Sequence, residues 1–222
     1  MDKRRSGAII NSIVASYVDS MYVNSNPELE ELRSFAEANH VPVILKDAES
    51  FILMLLKLRN PSSILEIGTA VGYSAICFAL GSDAHVTTIE ADRNMYDAAR
   101  SNISNFNCQD RIDIIYGDAR ETLSSFDEQR KYDMVFIDAA KSHYREFWDF
   151  IIPLCTDDAM IICDNVLMKG MTASDEFDTN RRYRTSIRKM REFLDYINNL
   201  EYADTSILPI GDGVSVSIID RK

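Results

Sequence analysis

Several common signatures are absent from this chain of 222 residues. It has neither the Gly-x-Gly-x-x-Gly fingerprint of dinucleotide-binding folds nor a Gly-Lys-Ser/Thr phosphate loop, so a pyrophosphate ligand is not indicated. Its four cysteines lack Cys-x-x-Cys spacing, which predicts reduced thiols in a cytoplasmic protein. No apolar run is long enough to span a membrane, so we expect a soluble protein with no membrane partner.

The charge balance is one-sided. The formal net charge is −11, which argues against non-specific binding of nucleic acid by the whole surface but leaves room for a local basic patch. The composition is otherwise that of a globular protein, and no internal repeat or low-complexity segment interrupts it. The length therefore predicts one domain over residues 1–222, with a helical N-terminal extension over residues 1–40.

The most informative stretch runs from Ser63 to Ser74. Its apolar run predicts a buried parallel strand that breaks at Gly68 into a turn, and a helix follows. Glycine at such a turn lets the backbone approach a ligand closely because it has no Cβ. A second, β-branched run ends at Glu90, where an acid can hold a ribose diol or, alternatively, cap the next helix. Together the two strand ends favour an adenosine-based ligand.

Strand and helix patterns alternate along the chain and predict a parallel sheet with helices on both faces. The predicted strands are 62–67, 85–89, 111–115, 132–137 and 159–163, and the helices between them are 72–80, 92–105, 119–126 and 142–152. A helix over 181–199 then precedes two strand-like runs, 202–208 and 214–219, whose short link makes them antiparallel. This α/β arrangement, a mostly parallel seven-stranded sheet with an antiparallel C-terminal hairpin, is typical of Rossmann-like class I methyltransferases.

Three further helices are predicted before the sheet, over residues 7–23, 28–39 and 47–58. The first two must pack outside the sheet, over a ligand mouth or against a second subunit. Their apolar faces suggest a homodimer.

Polar residues follow the predicted strands at their carboxyl ends, where ligands sit in open α/β sheets. These strand-end candidates are Glu66, Gly68, Glu90, Asp118, Ala119, Asp138, Asp164 and Asn165. Asp118 either accepts a hydrogen bond from an adenine amino group or caps the helix that follows it.

Asp138, Asp164 and Asn165 form the sharpest group. Two carboxylates and an amide oxygen suit Mg²⁺ or Ca²⁺, and the lack of His or Cys argues against zinc. The alternative is that Asp164 and Asn165 are ordinary turn residues. Lys141 lies three residues after Asp138, and close to a cation it could lose a proton and act as a base toward a substrate hydroxyl. By itself it would be a solvated lysine at a helix start.

Three blocks resemble one known family. The segments 65–74, 136–141 and 164–170 are similar to the divalent-metal-dependent O-methyltransferases, which include catechol and caffeoyl-CoA O-methyltransferases. The likeness runs from about His40 to the C-terminus. Val41-Pro42, Arg181-Arg182 and the segment 209–213 further resemble the bacterial branch that methylates 5-hydroxyuridine in tRNA to 5-methoxyuridine.

The resemblance implies S-adenosylmethionine as methyl donor together with Mg²⁺ or another hard divalent cation. It implies metal ligands at Asp138, Asp164 and Asn165, and Asp138 and Lys141 as catalytic residues, with Lys141 as the base. The metal would lower the pKa of the substrate hydroxyl, and the resulting oxyanion would attack the methyl group in line. The implied cofactor contacts are Ile44, Glu66, Ser74, Glu90, Asp118, Ala119 and Asp138, with Gly68 allowing close approach.

Basic residues concentrate late in the chain and offer a grip for phosphates around a single-stranded tRNA anticodon base. The candidates for RNA contact are Lys169, Arg181, Arg182 and Arg184, with Arg188, Lys189 and Arg191 beyond them and Lys3, Arg4 and Arg5 as an additional group. The alternative is a solvated helix face that balances nearby acids. Two other functions compete: a small-molecule acceptor of the catechol or caffeoyl-CoA type, and a non-catalytic S-adenosylmethionine-binding module.

Overall fold

The structure is a computed structural model that describes residues 11–23, 26–179 and 181–221. This part of the chain contains eight α-helices joined by strands and short 3-10 turns. The helices are α1 (Ser12–Ser20), α2 (Pro27–Ala38), α3 (Lys46–Arg59), α4 (Tyr73–Gly81), α5 (Arg93–Asn105), α6 (Ala119–Ser124), α7 (Tyr144–Ile151) and α8 (Arg184–Asn198). None of these helices is both long and apolar enough to cross a membrane.

Seven strands form one sheet, as predicted. They are β1 (Ser63–Ile67), β2 (His85–Glu90), β3 (Ile112–Tyr116), β4 (Tyr132–Ile137), β5 (Cys155–Cys163), β6 (Ala203–Leu208) and β7 (Val214–Ile219). Their order across the sheet is β3-β2-β1-β4-β5-β7-β6. The first five are parallel, and β7 runs antiparallel to both β5 and β6.

The central strands are buried on both faces, because successive side chains point to opposite sides of a strand. In β1, Ile64 packs into the core layer formed with α2, α3 and α4, whereas the adjacent Leu65 packs into the layer formed with α7 and α8. A continuous apolar run is what such two-sided burial requires. The four cysteines are all buried and unbridged.

Helix α2 is held beside the cavity described below by a buried ionic contact. The guanidinium of Arg33 in α2 pairs with Glu49 in α3, and its Nε donates to the hydroxyl of Tyr73 at 3.1 Å. Tyr73 opens α4 and donates to Glu49 at 2.9 Å. Both Arg33 and Tyr73 line the cavity, so α2 packs beside the ligand mouth, one of the three positions considered from the sequence.

Several element boundaries differ from those predicted, and three of these differences have a cause in the structure. Strand β5 begins at Cys155 rather than 159, because its first residues pair with Tyr132 across a register shift even though Asp157 and Asp158 are polar. Helix α8 begins only at Arg184, since Arg181 has a left-handed φ of 53° that a helix does not accept. The predicted helix over 142–152 is divided into a 3-10 turn over Lys141–His143 followed by α7. Residues 7–10 of the first predicted helix lie outside the described part of the chain.

Candidate active site

A cavity of about 1200 Å³ opens at the carboxyl ends of the parallel strands. It is lined from several strand ends at once, so residues far apart in sequence meet there as expected. The predicted residues that line it are Ile44, Gly68, Ser74, Glu90, Asp118, Ala119, Asp138, Lys141, Asn165 and Lys169. Glu66 and Asp164 are fully buried and lie outside this lining.

Gly68 permits a close approach, and the partner is the protein's own backbone. Its φ is +96°, and a Cβ built on it would lie 2.2 Å from the carbonyl oxygen of Asp138. The absence of a side chain therefore lets the end of β1 pass the end of β4. Gly68 thereby brings Asp138 to the cavity, which refines the expectation that the glycine mainly makes room for a ligand.

Glu90 is held by backbone N–H groups. One carboxylate oxygen accepts from Thr69 and Ala70, at 3.2 and 2.8 Å, and the other accepts from Asp92 at 2.7 Å. The first two donors belong to the turn after β1, so Glu90 ties together the two strand ends that predicted the ligand site. A carboxylate oxygen has more than one acceptor site, and Glu90 keeps capacity toward the cavity that it lines.

Glu66 lies beneath the cavity floor. Thr88 donates to its Oε2 at 2.5 Å, while its buried Oε1 has no hydrogen-bond partner in the described residues. Burial raises the pKa of Glu66 to about 7, although the hydroxyl groups of Ser74 and Thr88 oppose the shift. An unpartnered buried carboxyl oxygen at this position can accept from a cationic or N–H group brought in by a ligand.

Asp118 performs the capping role that was one of its two predicted alternatives. It accepts from the backbone N–H of Arg120 at 2.9 Å, and the Arg120 guanidinium pairs with it at 2.8 Å. These hydrogen bonds from Arg120 lower the pKa of Asp118 to about 2. Arg120 also lies 3.6 Å from Glu146 in α7 and lines the cavity, so it belongs to the site although sequence reasoning missed it. The predicted adenine contact of Asp118 stays a prediction.

Asp138, Lys141 and Tyr144 form one hydrogen-bonded group. The ammonium of Lys141 donates to Asp138 at 2.7 Å and to the Tyr144 hydroxyl at 2.8 Å. Tyr144 in turn donates to the backbone carbonyl of Asp164 at 2.8 Å. The Tyr144 hydroxyl therefore joins Lys141 to the strand end that carries Asp164.

Lys141 is held in its charged form in this arrangement. Burial alone would lower its pKa, but the oxygens of Tyr144 and Asp138 outweigh that effect and raise the pKa of Lys141 well above its usual range. A proton acceptor at this position must first lose the contact with Asp138. The predicted role of Lys141 as a base therefore requires that its contact with Asp138 is first broken.

Asp164 and Asn165 end β5 in an unusual way. Asn165 is left-handed, with φ of 55°, and its N–H donates to Asp164 Oδ1 at 2.7 Å. Asp164 Oδ2 is buried without a hydrogen-bond partner in the described residues. Burial, together with the charge of Asp138, raises the pKa of Asp164 above the usual carboxyl range. A cation beside Asp164 would lower this pKa and would give Oδ2 a partner. The carboxylates of Asp138 and Asp164 and the amide oxygen of Asn165 therefore fit a hard divalent ion.

The cluster contains only two carboxylates. In the described residues no group of three His, Cys, Asp or Glu side chains is arranged to hold a metal ion. The predicted metal set completes its third position with the amide of Asn165, and metal dependence remains a prediction.

A loop between β6 and β7, residues 209–213, supports this end of the cavity. Its Asp212 carboxylate accepts from the backbone N–H of Lys169, and its backbone carbonyls accept from Val166 and Leu167 at 2.9 and 3.0 Å. On the other side, Asp47 of α3 accepts from Gly211 at 3.0 Å. Asp212 also lines the cavity and was not singled out from the sequence as a site residue, although the Gly-Asp-Gly turn had been noted.

The basic residues divide into two groups. Arg181, Arg182 and Arg184 are exposed, and Lys169 lines the cavity. The remaining three have partners within the protein: Arg188 pairs with Glu192, Arg191 pairs with Asp175, and Lys189 donates to the Ser142 carbonyl at 3.1 Å. Lys3, Arg4 and Arg5 lie outside the described residues.

Comparison with known proteins agrees with this geometry. The sequence model of a family described as O-methyltransferase matches residues 19–219. The chain belongs to the O-methyltransferase family. A caffeoyl-CoA O-methyltransferase of Populus kitakamiensis is 32% identical over 216 residues, covering 90% of this chain and 89% of the relative. A flavonoid 3',5'-methyltransferase of Vitis vinifera is 29% identical over 214 residues, covering 89% and 88%.

Solved structures of O-methyltransferases have the same fold. A Staphylococcus aureus protein, provisionally assigned as a caffeoyl-CoA O-methyltransferase, has a TM-score of 0.87 at 34% identity, covering 93% of this chain and 99% of that one. A Bacillus cereus O-methyltransferase in complex with SAH has a TM-score of 0.81 at 27% identity, covering 94% and 97%. The predicted class, an S-adenosylmethionine-dependent O-methyltransferase with a Rossmann-like sheet, is confirmed over the non-catalytic alternative.

Proposed function

We propose that this O-methyltransferase methylates the 5-hydroxyl of 5-hydroxyuridine at the tRNA wobble position, with S-adenosylmethionine as donor and Mg²⁺ or a similar divalent cation as cofactor. The observations that carry the proposal are a carboxylate group with an unpartnered buried oxygen beside a lysine, and a set of exposed arginines just before and at the start of α8. Asp138, Lys141 and Asp164 supply the first feature, and Arg181, Arg182 and Arg184 supply the second.

S-adenosylmethionine supplies an electrophilic methyl group. Glu90 is the proposed acceptor for its ribose hydroxyls, because three backbone N–H groups fix the carboxylate at the cavity wall. Ile44, Ser74 and Ala119 would complete the contact surface. Glu66 Oε1, which is buried behind this lining, would accept a hydrogen bond from the ammonium group of the cofactor once the residues that cover it make room.

Asp138, Asp164 and Asn165 would hold the divalent cation. Their oxygens suit Mg²⁺, and Asp164 Oδ2 has no other partner in the described residues. A bound divalent cation lowers the pKa of a hydroxyl that it contacts. The 5-hydroxyl and 4-carbonyl of 5-hydroxyuracil are neighbouring oxygens of the kind such a site accepts.

Lys141 is the proposed proton acceptor. Its Nζ is shared between Asp138 and Tyr144, and the contact with Asp138 keeps it protonated. If Asp138 turned toward a cation, that contact would weaken, and Lys141 could release its proton to solvent and then accept the proton of the substrate hydroxyl. Tyr144 would keep Nζ in place meanwhile, because it is fully buried.

The tRNA part of the proposal rests on the positive charge around the start of α8 and at Lys169. Arg181, Arg182 and Arg184 are exposed, and none of them forms an ion pair within the described residues. Lys169 adds a fourth cation at the cavity itself. In a chain of net charge −11, such a local cluster is suited to phosphates.

The test uses labelled S-adenosylmethionine, Mg²⁺ and either tRNA carrying 5-hydroxyuridine or a simple catechol. EDTA and an Asp164→Ala variant serve as controls, and Asp157→Ala removes an acid of the same strand far from the cavity. We expect EDTA-sensitive labelling of tRNA that is lost only in the Asp164 variant. Labelling of catechol alone would overturn the RNA substrate and keep the chemistry.

A phenolic small molecule is the second candidate acceptor. It is favoured by the names of the curated relatives, which are caffeoyl-CoA and flavonoid methyltransferases. Both acceptors present adjacent oxygens, so the same catalytic group would serve either.

The active form is proposed to be a homodimer that acts in the cytoplasm. Helix α1 buries only Ala15, while Ile13, Tyr17 and Met21 repeat every fourth residue on one exposed face. Side chains spaced by four lie on one side of a helix, so this face offers an apolar stripe to a second copy.

A further inference from the structure

We propose that Phe177 and Tyr183 are stacking platforms for nucleobases next to the modified one, within an arginine-flanked strip at the cavity mouth. The strip consists of Phe177, Arg181, Arg182, Tyr183 and Arg184. The inference rests on the proposed RNA substrate and adds residues that would read the strand around the target. Aromatic rings alternating with cations are what binding of single-stranded nucleic acid uses, since every base has a π-face.

Phe177 is attached to the loop that leads out of the cavity. Its ring atoms lie 3.2–3.3 Å from the position a Cβ would take on Gly170, which has φ of +85°. Gly170 directly follows Lys169, which lines the cavity. Despite that contact, 57% of Phe177 is exposed. The missing side chain at residue 170 thus seats the ring while leaving much of it free.

Tyr183 stands where α8 begins, and 45% of it is exposed. The guanidinium carbon of Arg182 lies 5.7 Å from its ring centroid, within the range of a cation–π contact. The backbone carbonyl of Tyr183 accepts from Ile187, a buried residue, at 2.9 Å. The ring is therefore carried on an anchored helix end rather than on a free segment.

Two contacts of α8 locate this helix end beside the mouth. Lys189 donates to the carbonyl of Ser142, between the cavity-lining residues Lys141 and His143. Arg191 donates to the carbonyls of Met171 and Thr172, in the loop that follows Lys169. Helix α8 therefore touches both segments that border this end of the cavity, and Arg184 lies only about 8 Å along the helix axis from Lys189.

The local charge is positive once the neighbouring acids are assigned. Asp175 is paired with Arg191, and Asp178 is buried. Glu176 and Asp178 are the acids that remain in the 175–178 segment, against three arginines without ion pairs in the described residues, which leaves a net positive charge. A polyanion is thus preferred here over a neutral phenol.

Two separated aromatic residues favour an oligonucleotide over a coenzyme A thioester. Such a thioester carries phosphates but a single adenine, so it has a base for one ring only. A single strand that extends from the cavity carries a base for each. The occupant we assign is therefore single-stranded RNA on the flanks of the target nucleotide.

The test compares acceptors of different size. The wild-type enzyme and its variants are assayed for methylation of an RNA stem-loop with 5-hydroxyuridine in the loop, of free 5-hydroxyuridine, and of caffeoyl-CoA. Phe177→Leu keeps an apolar side chain over Gly170 but removes the π-face, and Tyr183→Phe keeps the ring that Tyr183→Ala deletes. Arg184→Ala is paired with Arg188→Ala, which removes an arginine that is bonded to Glu192 on the same helix.

We expect Phe177→Leu and Tyr183→Ala to raise KM for the stem-loop about tenfold while kcat/KM for the free nucleoside stays unchanged. Tyr183→Phe should behave as wild type. In binding titrations at several salt concentrations, Arg184→Ala should lower the salt dependence by about one contact, whereas the aromatic variants should leave the slope unchanged. The control Arg188→Ala should change neither the slope nor KM for the stem-loop.

Three results would overturn the inference. Unchanged KM for the stem-loop in both aromatic variants would mean that the rings do not stack on bases. Equal losses on the nucleoside would mean that the rings only support the fold. Losses confined to caffeoyl-CoA would assign the strip to that thioester. If the wild-type enzyme methylates no RNA at all, the proposed function is wrong. Normal RNA methylation by the wild type and by every variant would instead contradict only the stacking inference.

Discussion

The raised pKa of Glu66 can be tested directly through the pH dependence of stability. Its folded-state pKa is about 7 against an ordinary value of 4.5, because it is completely buried. Between these values the folded protein binds more protons at Glu66 than the unfolded chain does. The free energy of unfolding of the ligand-free protein should therefore fall as the pH rises from about 4.5 to about 7.

Glu66→Gln should remove the part of this pH dependence that Glu66 contributes, while Asp164, whose pKa is also raised by burial, keeps its own contribution. At pH 8 the variant should unfold about 10 °C above the wild type, since the cost of a buried carboxylate is lost. Thermal unfolding of ligand-free protein between pH 4.5 and 8 measures it, with Glu121→Gln as an exposed control. A parallel pH profile in wild type and Glu66→Gln would contradict the buried charge. Weaker S-adenosylmethionine binding by this variant in calorimetry would support the proposed ammonium contact.

Substitutions of Lys141 can distinguish a role as a base from a role as a fixed positive charge. Lys141→Met should lower kcat about 100-fold or more if the amine accepts the substrate proton, while cofactor binding is retained. Lys141→Arg preserves the ion pair with Asp138 but cannot release its proton. Equal inactivity of the two variants fits a base, whereas substantial activity in Lys141→Arg would limit Lys141 to electrostatics. The measurement is methyl transfer under saturating cofactor.

The site residues that could be predicted are those that follow parallel strands. Glu90, Asp138 and Asn165 each end a strand, and the geometry of a parallel sheet brings such ends together regardless of what connects them. Arg120 and Asp212 could not be predicted in the same way. Arg120 enters through its contact with Asp118, and Asp212 through a hydrogen bond from Lys169, 43 residues away.

At the scale of elements, the loop 209–213 is the support for the end of β5. Asp212 accepts from the N–H of Lys169, whose φ of 57° leaves that turn dependent on outside contacts. Asp212→Ala deletes the acceptor, whereas Asp212→Asn retains an oxygen. Removing a partner of this kind costs about 1 kcal/mol of stability and loosens the turn that follows Asp164 and Asn165.

We therefore expect Asp212→Ala to weaken binding of Mn²⁺ or Mg²⁺ about tenfold, and Asp212→Asn to weaken it much less. Calorimetric titration of the purified protein measures both affinities without turnover, and thermal unfolding without metal checks the fold. Identical affinities in the two variants would show that the loop does not position the metal ligands.

Element identity was easier to predict than element boundaries. Apolar runs in β1 and β4 are buried on both faces, which leaves strand as the consistent assignment. The start of β5 depends on pairing with Tyr132, and the late start of α8 depends on the left-handed Arg181. Both boundaries depend on the local backbone and on residues that are distant in sequence. The hydrophobic periodicity of a single segment contains no information about either.

For the whole molecule, general rules limit the topology of the sheet, because parallel strands need right-handed crossovers and a short link needs an antiparallel pair. The strand order itself, with β7 between β5 and β6, comes from the structure. Assembly follows from no such rule. The sequence predicted apolar N-terminal helices, and the structure distinguishes them: α2 is fixed through Arg33 to Glu49, while α1 keeps its apolar side outward.

That outward side supports the prediction of a homodimer. Ile13 is 78% exposed and Tyr17 63% exposed, so both should be covered when two copies associate. Sedimentation velocity over micromolar concentrations should show a dimer for the wild type and a monomer for the double variant Ile13→Glu, Tyr17→Glu. Ser12→Glu, at the exposed start of the same helix but off the stripe, should remain dimeric.

Unfolding temperature distinguishes association from folding in this experiment. Glutamates on an exposed stripe cost little in an isolated subunit, because no core contact is lost there. In a dimer they place like charges across the interface and shift the equilibrium toward monomer. A wild-type protein that sediments as a monomer throughout this range would leave α1 without a second copy as its partner. A double variant that remains dimeric would move the interface elsewhere.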